Sequence, residues 1–178
     1  MKTAFSKIIY RGRQVYWALK SNIKPEEVIW AKNLLNPNEY AIFTQLSRAD
    51  RRHSLDVAWL CANSTHLLSN EERTLLLKSA LLHDMGKRHY PLQLWHRIVY
   101  VLLQNHPWWL KALKEKSSLG KALWVMAQHS NLGAEEAAQL NWSPDLVALI
   151  RHHHDRQVVL SEPLDKLIGI LQSADEKS

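Results

Sequence analysis

The chain has 178 residues, 46% apolar and 22% charged, enough for one domain with its own core and ordinary for a globular protein. Its one cysteine, Cys61, excludes an internal disulfide framework and fits a reducing compartment, and no stretch reaches the roughly 18 to 20 apolar residues of a membrane span. The formal charge of +6 lies in a leader, where Lys2, Lys7, Arg11, Arg13, Lys20 and Lys24 precede the first acid, Glu26, while the remainder is balanced. These cations interrupt the apolar residues of the leader, so a signal-peptide core is not formed and the expected location is cytoplasmic. With Ile8, Ile9, Val15, Tyr16 and Trp17, the leader reads first as a solvated helix packed by one face. RNA, an acidic partner or a membrane surface are the alternative uses of its charge, and nucleic acid is not the favoured partner.

From there the chain reads as a series of helices. Pro25 followed by Glu26 and Glu27 starts one, with acids in the first turn where the dipole favours them. Asn36-Pro37-Asn38-Glu39 starts the next, and Asp50 can cap a third running to about Asn63. Asn70 with Glu71 and Glu72 opens a fourth, which Gly86 can end. Pro91 and Pro107 each open an amphipathic stretch rich in Trp and Leu. Residues 119–129, 134–140, 143–154 and 163–175 complete the set, with Ser143-Pro144-Asp145 as a cap followed by proline at the first helical position. Val158-Val159 is too short and isolated to imply a sheet. The predicted fold is all-α, with an N-terminal basic helical extension over residues 1–46 and the functional core over 47–178.

Polar side chains recur on the faces that should be apolar. Residues four, seven, eight or eleven apart share one side of a helix. His53 lies on a stripe with Val57, Leu60 and Cys61. His83 and Asp84 continue that of Leu76 and Ala80, and His129 follows Ala122, Val125 and Met126. His153 and His154 continue Leu146 and Ile150, and Asp175 ends the stripe Leu164, Ile168, Leu171. One histidine on an apolar stripe is ordinarily a core residue, and an Asp near a helix end can reach solvent. Five helices sending such groups inward together is another matter, because a buried carboxylate without a partner costs several kcal/mol or more. Apart from Lys87, no cation shares those faces. Imidazoles and carboxylates converging without cysteine describe a site for a divalent transition metal, with Mn, Fe, Co, Ni or Zn all acceptable.

The adjacent pair His83-Asp84 can meet one metal only near a helix end, since helical neighbours point about 100° apart. Met85-Gly86 supplies such an end, and Lys87, one turn beyond His83, is placed to hold an anionic oxygen. A metal with a lysine beside it is equipment for attacking a phosphoester.

At these residues the sequence resembles the HD superfamily of metal-dependent phosphohydrolases. His53, the doublet in Leu82-His83-Asp84-Met85-Gly86-Lys87, and Asp175 in Leu171-Gln172-Ser173-Ala174-Asp175 match its ordered motifs over roughly residues 47–178. The resemblance implies an HD-domain helical bundle with a metal at its centre. His129, before Asn131-Leu132-Gly133-Ala134-Glu135, and His153, in Ile150-Arg151-His152-His153-His154, are similar to ligands of the two-metal branch. His154 joins them if the HD-GYP pattern applies. The Gly-Tyr-Pro signature itself is missing after Asp155, and the small size looks more like the symmetrical diadenosine tetraphosphate hydrolases.

By this resemblance the chain is expected to be a phosphohydrolase acting on a phosphoester or phosphoanhydride, of a nucleotide first of all. It would hold one or two metals such as Fe or Mn per chain and act by attack of metal-bound hydroxide. Asp84 would ligate and orient the nucleophile, and Lys87 would bind the phosphate. The alternative is a non-catalytic regulatory domain that binds metal or nucleotide. The segment 89–121, with Trp95, Trp108 and Trp109, either roofs the site or packs on the core.

Overall fold

The computed structural model describes residues 22–64, 68–103 and 117–178. The basic leader, apart from its last cation, Lys24, lies outside the described residues, as do Pro107, Trp108 and Trp109. Among the described residues there are eight α-helices and no strand: α1 Pro25–Leu34, α2 Pro37–Gln45, α3 Arg48–Ala62, α4 Asn70–Leu82, α5 Leu94–Leu103, α6 Ser118–Gln139, α7 Pro144–His152 and α8 Leu164–Lys177. A short 3-10 helix, Met85–His89, follows α4. None of these helices is long and apolar enough to cross a membrane.

Local chemistry explains most of the starts. Asn36 accepts a hydrogen bond from the Glu39 amide while the Glu39 carboxylate accepts from the Asn36 amide, a reciprocal box at the head of α2. Ser143 caps α7 by accepting from the Leu146 amide, as the sequence predicts.

Four expectations need correction. Asp50 is not the cap of α3; Ser47 is, and Asp50 sits inside the first turn, 4% exposed, gripped by Arg97 of α5. The fourth helix does begin at Asn70, with Ser69 as its cap in a box with Glu72, but it stops at Leu82 rather than at Gly86. The stretch opened by Pro91 becomes helical only at Leu94. Residues 119–129 and 134–140 form one continuous helix, α6. Gly133, which weakens a helix by about 1 kcal/mol relative to alanine, is held there by tertiary contact with Met85 and Gly86.

The core runs between α3, α4, α7 and α8, where Leu55, Leu76, Leu81, Leu149, Ile150, Leu167 and Leu171 are buried. Each such side chain contributes roughly 1.5–3 kcal/mol by leaving water. Ala31, Leu35, Ile42, Phe43 and Leu46 of the α1–α2 region join the same core. Helix α5 packs on α6 and is tied to α3 by the two-pronged pair Arg97–Asp50, both bonds 2.8 Å. It leaves Leu94, Trp95, Ile98 and Leu102 exposed on its other side. Because Asp50 precedes His53 by one turn, this pair fixes α5 beside a cluster of histidines at the centre of the bundle.

Candidate metal centre

The doublet sits where a helix gives out. His83 is the residue that ends α4, and Asp84 leaves helical geometry with φ −93° and ψ 8°, so the two side chains turn toward one point. The following 3-10 turn brings Lys87 back over the doublet, its Nζ 2.5 Å from Asp84 Oδ2.

The two oxygens of Asp84 face different partners. Oδ2 lies 3.6 Å from His83 Nε2 and 3.8 Å from His53 Nε2. Oδ1 lies 3.1 Å from His129 Nε2 and 3.9 Å from His153 Nε2. Two groups of mutually close ligand atoms result: His53, His83 and Asp84, and Asp84, His129, His153 and His154. His154 is half-exposed, with its Nε2 3.1 Å from His129 Nε2. Asp175 is outside both groups but borders the first, with Oδ1 2.9 Å from His53 Nε2 and 3.7 Å from His83 Nε2. All seven side chains singled out from the sequence, and Lys87, therefore converge on one place, supplied by α3, the α4 end, α6, the α7 end and α8.

The protonation pattern tests whether a metal fits. His83, His129 and His153 each donate Nδ1–H to the carbonyl three residues earlier, those of Ala80, Met126 and Ile150, at 2.9, 2.7 and 2.7 Å. A carbonyl can only accept, so each Nδ1 carries a proton, and in the neutral ring the lone pair is then on Nε2. The Nε2 atoms of His129 and His153 are 3.3 Å apart. Two lone pairs at that distance repel unless a proton or a metal cation lies between them. His83 Nε2 and Asp84 Oδ1 are likewise buried without a hydrogen-bond partner. Buried acceptors facing one another, all nitrogen and oxygen, fit a divalent transition ion.

Electrostatics agrees. Burial acts to raise the Asp84 carboxyl, but the charge of Lys87 and the contacts of His83 and His129 hold it well below the usual carboxylate range. Burial likewise opposes, and the hydrogen bond from His53 outweighs, in lowering Asp175. Burial pushes His83 and His153 down, so both rings stay neutral, and burial with the neighbouring His129 lowers His154. His53 goes the other way: burial would lower it, but the bond to Asp175 and the charges of Asp84 and Asp175 raise it.

Protein stripped of metal should therefore show a characteristic pH dependence. Unfolding restores His83, His153 and His154 to an ordinary value near 6.5, so the stability they confer is full above that pH and lost as pH falls. Asp84 and Asp175 act in the same sense at lower pH, because their folded values are also depressed. His53 alone opposes, its contribution being full below 6.5 and lost as pH rises through its raised value. Four histidines, these three and the buried His96, against one predict a Tm that falls between about pH 7 and pH 5. Thermal denaturation after chelation checks this, and a Tm that rose toward pH 5 would contradict the assignment of the rings as neutral.

Sequence reasoning missed the Asp50–Arg97 pair and Gln172, whose amide donates to the carbonyls of His152 and Asp155. Gln172 was findable, since it is one turn before Asp175 on the inward side of α8. Arg97 was not, because nothing local marks an arginine on an apolar helix as paired with an acid forty-seven positions away.

A family model of the HD domain matches residues 51–178. No curated protein and no solved structure matches the chain. HD domains are generally metal-dependent hydrolases, and the cluster of His and Asp side chains could hold such a metal. The matched span runs from the first turn of α3 through α8 and includes every residue of the cluster, and the chain belongs to the HD domain family.

Proposed function

We propose that this protein is a phosphohydrolase with two divalent metals per chain, acting on a phosphoester or phosphoanhydride of a nucleotide. The observation that carries the reading is the position of Asp84, one oxygen toward His53 and His83 and the other toward His129 and His153. A carboxylate so placed is suited to be shared by two ions. His53, His83, Asp84 and Asp175 would hold the first metal, and Asp84, His129, His153 and His154 the second, with iron or manganese the expected occupants. Metals in such sites acidify water and neutralise charge on a phosphoryl group.

The protein's own groups supply the rest. The carbonyls of Ala80, Met126 and Ile150 fix three imidazoles as acceptors, so the ligand set is organised before substrate arrives. Lys87 caps the doublet from the less buried side and would exchange Asp84 for a phosphoryl oxygen. Elemental analysis of protein purified without chelator or affinity tag is expected to give about two equivalents of metal per chain. The same preparation should turn over a member of a nucleotide panel and lose that turnover on chelation. One equivalent would leave the simpler site around His53 and His83. Two equivalents with nucleotide stabilisation and no turnover would instead assign a regulatory binding domain.

A further inference from the structure

The two histidines nearest the end of α7 have unequal support. His153 is oriented by the Ile150 carbonyl, but among the described residues no backbone carbonyl fixes the ring of His154. Helix α7 ends at His152, where Asp155 N donates to His152 O at 2.9 Å and closes a turn, and the direction of that turn relative to α8 is set from outside it. What sets it is Gln172 of α8, 6% exposed, whose Nε2 donates to His152 O at 3.0 Å and to Asp155 O at 2.9 Å. Its Oε1 accepts from Arg156 Nη1 at 3.4 Å, which fixes which end of the amide faces the turn. The two carbonyls it grips bracket His153 and His154. Asp175 stands one turn further along the same helix.

We propose that Gln172 is a positioning residue for the second metal, its amide clamping the 152–155 turn so that His153 and His154 face Asp84 and His129. Helix α8 then delivers Asp175 to one half of the centre and, through Gln172, sets two ligands of the other. The inference rests on the two-metal reading above. Its distinguishing consequence is selectivity: none of the ligands of the half made by His53 and His83 comes from the turn, which touches that half only through His153 beside His83 and His154 beside Asp175.

The test is titration of metal-stripped protein with Mn²⁺ alone, comparing wild type with Gln172→Met and Gln172→Glu. Both variants keep the length of the side chain, and neither can donate to two carbonyls at neutral pH. Weakening of one of two sites by about 10- to 100-fold, with the other unchanged, is expected. Circular dichroism should show both variants helical. Equal weakening of both sites, no change in either, or loss of folding in both variants would each make Gln172 a plain structural cap and overturn the proposal. Wild type that binds no Mn²⁺ would overturn the two-metal reading itself, an outcome visible before any variant is made.

Discussion

Replacing Asp84 by asparagine is expected to empty both halves of the metal centre and to lower turnover by about a thousandfold or more, the scale on which loss of one charge-stabilising group is felt. The expectation comes from membership of both ligand groups: among the described residues, no other belongs to each. A neutral amide oxygen is a far weaker donor to a divalent ion than a carboxylate. The single-sided variants His53→Gln and His129→Gln form the contrast, each expected to lose one equivalent and keep the other. Elemental analysis of the three proteins separates the cases. Asp84→Asn protein that kept two equivalents would refute the shared-ligand assignment.

Unfolding is not the expected cause of that loss. Asp84 Oδ1 lies 3.1 Å from His129 Nε2, a distance at which a proton or a metal cation has to lie between the two atoms. An asparagine amide at that point can donate to the imidazole instead. Lys87 does lose its partner, but its side chain is 14% exposed and can turn to water, so the penalty of a stranded buried charge is mostly escaped. After chelation the variant should therefore stay folded, melting below wild type by the share of stability that the ionised Asp84 contributes. A chelated variant that failed to fold at neutral pH would show that reasoning to be mistaken.

The sequence was informative about this centre for a physical reason. A helical stripe is read by period, and a histidine or aspartate on an apolar stripe conflicts with burial unless something compensates. Five such conflicts, at His53, His83 with Asp84, His129, His153 with His154, and Asp175, are visible without coordinates. Capping is less legible, because several polar residues near a helix start compete and only the backbone decides among them. Asp50 is the example: a good cap by type, it is held inside the first turn by Arg97, forty-seven positions away. Glycine is ambiguous in the same way. Gly86 reads as the end of a helix and Gly133 falls between two predicted ones, whereas neither has a positive φ and both are where one backbone meets another. Long-range contact was the missing information in each case.

Gly86→Ala is therefore the second large effect expected. A methyl group at residue 86 would stand 2.0 Å from the carbonyl oxygen of His129, 2.8 Å from the carbonyl carbon of His129 and 2.8 Å from the Gly133 nitrogen. All three are backbone atoms of α6, so no side chain can move aside, and the helix itself must be displaced. Overpacking ordinarily costs about 1–3 kcal/mol, and a backbone-to-backbone collision belongs at or above the upper end. At about 2–4 °C per kcal/mol for a chain of this size, Tm should fall by roughly 6–12 °C. The displaced segment carries His129, whose Nε2 is 3.1 Å from Asp84, so binding at the His129 half should fail even in protein that remains folded. Gly133→Ala makes the comparison decisive. There the nearest atom, at 2.9 Å, is Cγ of the flexible Met85 side chain, and the nearest backbone atom is at 3.2 Å. The loss of Tm should be clearly smaller, with both metal sites retained. Equal tolerance of the two alanines would mean that the crossing of α6 over the 3-10 turn is looser than these distances require, and that the glycine after the His-Asp doublet serves some purpose other than close approach.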